Sequence, residues 1–187
     1  MTGFPALSTQ RLHLREIVAS DADALFRIYS DADAMRWFGS EPMTEPLQAR
    51  QLIDIYAEWR RAPVPGTRWG IVVRETGELV GTAGLFRWNK SWRNCVLGYE
   101  LGRTAWGKGY MTEALQAVLG YGFVAMALHR IQAEIHPDNL ASKQLVERLG
   151  FRLEGTHRQQ GYWCDQYHDL QCYALLEGEM RHSTGKP

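Results

Sequence analysis

The chain has 187 residues, 45% of them hydrophobic and 22% charged, with 21 Lys+Arg against 21 Asp+Glu. That length suits one domain, 1–187, with a full hydrophobic core, and the even charge argues against a nucleic-acid binder that works by bulk electrostatics. No apolar run approaches the ~18 residues of a membrane span, and Met1-Thr2-Gly3-Phe4-Pro5 lacks the charged and apolar regions of a secretory signal, so a cytoplasmic protein without membrane contact is expected.

Arg11 to Arg15 alternates polar and apolar residues, as a half-buried strand does. Ser20-Asp21-Ala22-Asp23 offers an N-cap for a helix through about Tyr29, and Ala32 to Phe38 reads as a further short helical turn. Thr44 is the expected cap of a helix that carries Leu47, Leu52, Ile55, Tyr56 and Trp59 and ends at Pro63 and Pro65. Two strands follow, Arg68 to Arg74 and Glu78 to Phe86, turning at Thr76-Gly77. A polar loop, Arg87 to Arg93, leads to the strand Cys95 to Leu101. A glycine-punctuated segment comes next, then a helix from Met111 to Met126 with Met111, Leu115, Val118, Gly122 and Met126 on one face. Arg130 to His136 reads as a strand. Pro137-Asp138-Asn139 introduces a helix through Leu149, capped by Gly150. Two last strands, Phe151 to Thr156 and Tyr167 to Leu175, flank the loop Gln159-Gln160-Gly161, and Arg181 to Pro187 reads as a loose tail.

The segment Gly102-Arg103-Thr104-Ala105-Trp106-Gly107-Lys108-Gly109-Tyr110-Met111 carries the chemistry. Free backbone N–H groups between a strand and a helix N-terminus form an anion site, usually for phosphate. Gly102-x4-Gly107-Lys108 fits the first seven positions of a Walker A loop, but the eighth, a Ser or Thr for magnesium, is Gly109. A Walker B strand is missing too, because Arg130 to Asp138 is interrupted by Gln132, Glu134 and His136. A dinucleotide fingerprint fails at Thr112, where its third glycine belongs. A nucleotide-hydrolysing switch is thereby disfavoured. The loop reads as a phosphate cradle without magnesium, which suits a coenzyme A pyrophosphate; a plain strand-to-helix turn uses the same glycines.

The three cysteines, Cys95, Cys164 and Cys172, form no disulfide framework. Cys164, His168 and Cys172 recur every four residues, but Tyr162, Trp163, Tyr167 and Tyr173 favour a strand, on which such residues do not converge on one ion. No metal is expected.

The element order β-α-α-β-β-β-α-β-α-β-β, the glycine loop and Asn139-x-x-Ser142-x7-Gly150-Phe151 together resemble the GNAT superfamily of acetyl-CoA-dependent N-acetyltransferases. The resemblance runs from about Thr9 to Glu177. Leu97-Gly98-Tyr99-Glu100-Leu101 running into Trp106-Gly107-Lys108-Gly109-Tyr110-Met111-Thr112-Glu113-Ala114 is especially similar to the RimJ/RimL-type branch, which acetylates ribosomal-protein N-termini. One departure is Thr104, where the superfamily loop usually begins with Gln or Arg. The resemblance implies an α/β fold (α+β in some schemes): a mixed, mostly antiparallel sheet of six to seven strands, splayed at its centre, with helices on both faces.

It also implies roles. The pyrophosphate of acetyl-CoA would sit on the amides of Trp106, Gly107, Lys108, Gly109, Tyr110 and Met111, with Lys108 adding charge or staying solvated. The pantetheine arm would pair with the Tyr99 to Leu101 backbone, and the Leu101 N–H would hold the oxyanion. Asn139 serves as helix cap, as hydrogen-bond partner of that arm, or as both. Amide formation needs a neutral amine, and freeing a proton at pH 7 costs about 1 kcal/mol for an α-amino group but roughly 4.6 for a lysine. Glu100 is the candidate base, provided burial raises its pKa; a plain surface glutamate is the alternative. Ser142 is the candidate acid for the leaving thiolate, with Tyr110 or another tyrosine as the alternative. Trp37, Phe38, Trp88, Trp92, Tyr162 and Trp163 fall in segments that border the acceptor cleft of relatives, and also suit a core. The implied acceptor is an amine, foremost a protein N-terminus such as that of a ribosomal protein. A small amine (antibiotic or polyamine) and a non-catalytic acyl-CoA sensor are the alternatives, and a homodimer is possible.

Overall fold

Strand periodicity and one break in pairing determine the architecture. The computed structural model describes residues 3–61 and 66–180. The chain runs β1 (Leu7–Ser8), β2 (Leu12–Arg15), α1 (Ala22–Tyr29), α2 (Ala32–Met35), α3 (Pro46–Trp59), β3 (Thr67–Val73), β4 (Leu79–Asn89) and β5 (Asn94–Leu101). It continues with α4 (Tyr110–Val124), β6 (Arg130–Ile135), α5 (Leu140–Arg148), β7 (Arg152–Trp163) and β8 (Gln166–Leu176). The strands make one eight-stranded sheet in the order β1-β2-β3-β4-β5-β6-β8-β7.

The pair β5–β6 is parallel, and the other pairs are antiparallel. Its register covers only Asn94↔Arg130, Cys95↔Ile131 and Val96↔Gln132. Beyond Val96 the two strands part, although β4 stays paired with β5 to Leu101 and β8 with β6 to Ile135. The sheet is therefore split at its centre, as the resemblance implies.

Side-chain alternation assigns a core to each face. Leu12, Leu14, Trp69, Ile71, Leu85, Leu97 and Ile131 pack beneath Leu115, Val118 and Leu119 of α4 and Val146 of α5. Val72 and Leu79 point the other way, toward Leu25 and Ile28 of α1 and Ile53 and Tyr56 of α3. Gly122 lets α4 approach the sheet closely: a Cβ there would lie 3.0 Å from Leu85 and from Ile131.

Several boundaries differ from the sequence reading. The cap of α3 is Glu45 rather than Thr44, because Pro46 occupies the first helical position, where its missing N–H does no harm. Gln48 Oε1 accepts the amides of Thr44 (2.7 Å) and Glu45 (2.9 Å). The proposed stop at Pro63 and Pro65, and the tail from Arg181, lie outside the described residues. β4 runs to Asn89, which pairs with Asn94, so the first three of the seven residues of the expected polar loop are strand; Arg87 at φ 53° sits in the irregularity that permits this. Gln159-Gln160-Gly161 is not the last turn but a bulge in β7. The hairpin turns at Cys164-Asp165, both left-handed at φ 50° and 55°, where the Cys164 amide donates to Glu41. β1, only two residues long, adds the eighth strand.

Candidate active site

The divergence of β5 from β6 opens a cleft of about 950 Å³. The Gly102 amide donates to Val80 of β4 (2.9 Å). Alternate residues of a strand turn their peptide groups to opposite edges, so Tyr99 and Leu101 direct theirs into the opening. The Leu101 carbonyl is already engaged there by the Trp106 indole Nε1 (2.7 Å), a contact not legible in the order of the residues.

The glycine loop closes one end of the cleft. A 3-10 turn over Arg103–Ala105 comes first, and the Trp106 amide donates to Arg103 O (3.1 Å). The amide of Trp106, the first residue of the expected cradle, is thus engaged by the turn. The amides of Gly107 through Thr112 find no backbone acceptor among the described residues. Gly107 and Gly109 take φ 73° and 76°, a left-handed conformation costly to other residues. Lys108 is exposed and does not line the cleft. Its carbonyl is held by Arg11 Nη1 (2.9 Å), while Arg11 Nε pairs with Glu113 Oε2 (2.7 Å) and the guanidinium covers the Tyr110 ring. Asn139 caps α5, its Oδ1 accepting the Ser142 amide (3.1 Å).

The neighbours Tyr99 and Glu100 face opposite sides of β5. Tyr99 Oη lies 2.5 Å from Ser142 Oγ, and burial pushes the phenol up to about 12. Tyr99 therefore joins Ser142 in a hydroxyl pair that sequence reasoning missed. On the other side Glu100 is buried, not a surface glutamate. Its Oε1 accepts from Tyr29 and Thr82, and its Oε2 from Arg68. Tyr29 also meets Tyr56 (2.9 Å). Desolvation raises the Glu100 pKa despite the opposing effect of Arg68 and the three donors.

On the Glu100 side the cleft is walled by Trp37, Phe38, Phe86 and Trp163. Tyr162 reaches its rim, but Trp88 packs on the core and Trp92 is 74% exposed, so neither lines the cleft. Trp163 Nε1 donates to Arg36 O (3.2 Å), tying the β7–β8 hairpin to the segment after α2. Behind this wall His136 stacks on Trp37 (4.2 Å) and His168 on Trp163 (3.7 Å). The Trp163 carbonyl can only accept from His168 Nε2 (3.2 Å), so His168 Nδ1 accepts from His136 Nε2 (3.3 Å) and His136 Nδ1 from the Asp138 amide (3.1 Å). Desolvation lowers the His136 pKa. Cys172 is buried on β8 and Cys164 is exposed in the turn, and no acidic, histidine or cysteine cluster suited to a metal occurs among the described residues.

A split sheet with a free-amide loop at one end, and carboxylate and hydroxyl groups on opposite sides of the split, is an acyl-transfer scaffold. Comparison with known proteins names the family. The acetyltransferase (GNAT) domain family matches residues 11–152. The uncharacterized N-acetyltransferase YoaA of Bacillus subtilis is 37% identical over 174 residues, 93% of this chain and 98% of that protein. The [ribosomal protein uS5]-alanine N-acetyltransferase of Escherichia coli is 35% identical over 114 residues, 60% of this chain and 52% of that protein. Among solved structures, Mycobacterium smegmatis RimJ in complex with CoA-disulfide shares the fold, with a TM-score of 0.83 at 24% identity over 92% of this chain and 85% of that one. The chain belongs to the GNAT family of acetyltransferases and is an N-acetyltransferase.

Proposed function

We propose that the chain transfers the acetyl group of acetyl-CoA to the α-amino group of a protein N-terminus. The observation that carries this reading is the make-up of the cleft lining. It is aromatic and nearly charge-balanced, with Asp33, Glu100, Glu134 and Asp138 against Arg68, Arg87 and Arg148. Three of those carboxylates are engaged by arginine: Asp33 by Arg103, Glu100 by Arg68, and Glu134 by Arg87 at 4.0 Å. A polyamine needs a track of free carboxylates, whereas a peptide N-terminus needs one amine site and apolar contacts. The uS5-alanine specificity of the E. coli relative points the same way.

The amides from Gly107 to Thr112 hold the pyrophosphate at the α4 N-terminus. The Leu101 N–H supports the pantetheine arm and the developing oxyanion, and the Asn139 side-chain NH2, not used in capping, meets the same arm. The amine approaches from the Glu100 side. Glu100 Oε1 already accepts two hydroxyls, so Oε2, which accepts only from Arg68, has the lone pair that takes the amine proton through a water. A raised pKa makes that carboxylate a better base near neutrality. As the tetrahedral intermediate collapses, the C–S bond breaks toward Tyr99 and Ser142. Ser142 donates its proton to the leaving sulfur as Tyr99 passes its own to Ser142, and the proton that Glu100 released from the amine returns through solvent to Tyr99, which restores all three groups.

The test is mass spectrometry of cell-extract proteins after incubation with the protein and isotopically labelled acetyl-CoA. Label on the N-terminus of one or a few proteins is the expected result. Label confined to small metabolites, or CoA binding with no transfer at all, overturns the reading.

A further inference from the structure

Arg68 is a cleft group whose donors are not fully used by the network around Glu100. Its side chain is 4% exposed. It leaves β3 and crosses the sheet over two residues without side chains, since Arg68 is registered with Gly84 and Gly84 with Gly98. A Cβ on Gly84 would lie 3.0 Å from Arg68 Cδ, and one on Gly98 would lie 3.2 Å from Nη1. The two glycines form the channel in which the arginine lies, and they bring its tip above β5 just past Val96, where the sheet splits. Phe38 and Tyr56 bracket the guanidinium at 5.6 and 5.5 Å from their ring centres.

Nε donates to Thr82 (2.7 Å) and Nη2 to Glu100. Nη1 has no acceptor among the described residues. No fully buried side-chain nitrogen or oxygen there lacks a partner, so Nη1 is the edge that the cleft reaches. A rigid, nearly dehydrated N–H pair thus stands beside the carboxylate that receives the amine. In an α-amino residue the carbonyl carbon is bonded to the carbon that bears the amine. The Glu100–Arg68 pair presents acceptor and donor side by side in the matching order.

We propose that Arg68 recognises the first carbonyl of the acceptor, so that the enzyme takes amines α to a carbonyl and discriminates against amines without one. The inference rests on the N-terminal reading and specifies its substrate class. Arg68 binds the residue that carries the amine and is the specificity determinant of the acceptor site.

The experiment compares an alanine-initiated tetrapeptide with the same peptide whose first amide is replaced by a trans alkene. Both are N-acetylated, to remove differences in amine charge, and titrated calorimetrically into the CoA-loaded protein. The wild type is expected to bind the amide form at least about tenfold tighter, the range for a hydrogen bond to a charged group. R68K keeps a charge opposite Glu100 but cannot reach over Gly98, and should remove most of that preference with CoA affinity unchanged. R68Q/E100Q, which removes both buried charges together, serves if R68K misfolds, and should also lose the preference. Equal affinities in the wild type, a preference that survives both variants, or no binding of the amide peptide overturns the inference. Turnover of the unacetylated peptides is read in parallel. A binding preference without acetylation leaves Arg68 recognition standing and defeats the N-terminal reading, whereas R68K lowering turnover of both peptides equally, with no change in preference, marks Arg68 as a mere support for Glu100.

Discussion

Glu100 pairs burial with three donors, and its pKa rises because desolvation outweighs them. Glu100→Gln keeps shape and most hydrogen bonds while removing proton acceptance. It should lower kcat by about 10²–10⁴-fold, the usual worth of a general base, with acetyl-CoA affinity unchanged in steady-state and binding assays. Ser142→Ala should lower kcat by roughly 10²-fold without raising KM for the amine. The His136 prediction concerns stability. A histidine whose folded pKa lies below its unfolded value of 6.5 binds fewer protons folded than unfolded. Its stability contribution is present above that value and is lost as pH falls below it. Urea unfolding should therefore show stability dropping as pH falls through this window, and His136→Gln should flatten that drop. Sequence suggested Glu100 and Ser142 because both lie beside recognisable motifs. It did not suggest Arg68 or Tyr99: Arg68 lies 32 residues from Glu100, and its path appears only when Gly84 and Gly98 are registered as neighbours.

Among the elements, the loop before α4 was the most legible, since glycines at left-handed positions leave few alternatives. Gly109→Ala should cost about 1–2 kcal/mol of local strain, enough to weaken acetyl-CoA binding by roughly tenfold. Calorimetry checks this, with the amine KM expected to stay constant. What the loop residues alone could not reveal is the brace from outside. Arg11 and Thr9 reach Glu113 and the Lys108 carbonyl from the start of β2, about a hundred positions earlier in the chain. Turn chemistry misled at the last hairpin. Gln-Gln-Gly has turn-like composition, but Cys164-Asp165 makes the turn with help from Glu41, a carboxylate distant in sequence. The α3 cap shifted by one residue for a reason visible in the sequence, Pro46, though Thr44 looked equally suitable.

At the scale of the whole molecule, the splayed sheet makes the protein responsive to its donor. The edges of β5 and β6 beyond Val96 have no strand partner in each other, so a chain that lies between them can gain backbone hydrogen bonds. Acetyl-CoA at 100 times its Kd should add about 2.7 kcal/mol, a rise in Tm of roughly 5–11 °C by differential scanning fluorimetry. Element order was readable because each strand and helix carries its own period; the split itself came only through family resemblance, since nothing within β5 records where β6 leaves it. The contacts of the β7–β8 hairpin have a further consequence. The proposed donor half of the cleft, which excludes Glu100 on the opposite side of β5, draws on one stretch of chain, from Val96 to Ser142. The proposed acceptor half is assembled from Trp37, Phe38, Phe86 and Trp163, and its walls are latched by Trp163 to Arg36 and by Cys164 to Glu41. Substitutions at the latch can widen or narrow the entrance without touching the donor run. Descendants of this chain can thus exchange one acceptor for another while inheriting the acetyl-transfer machinery intact.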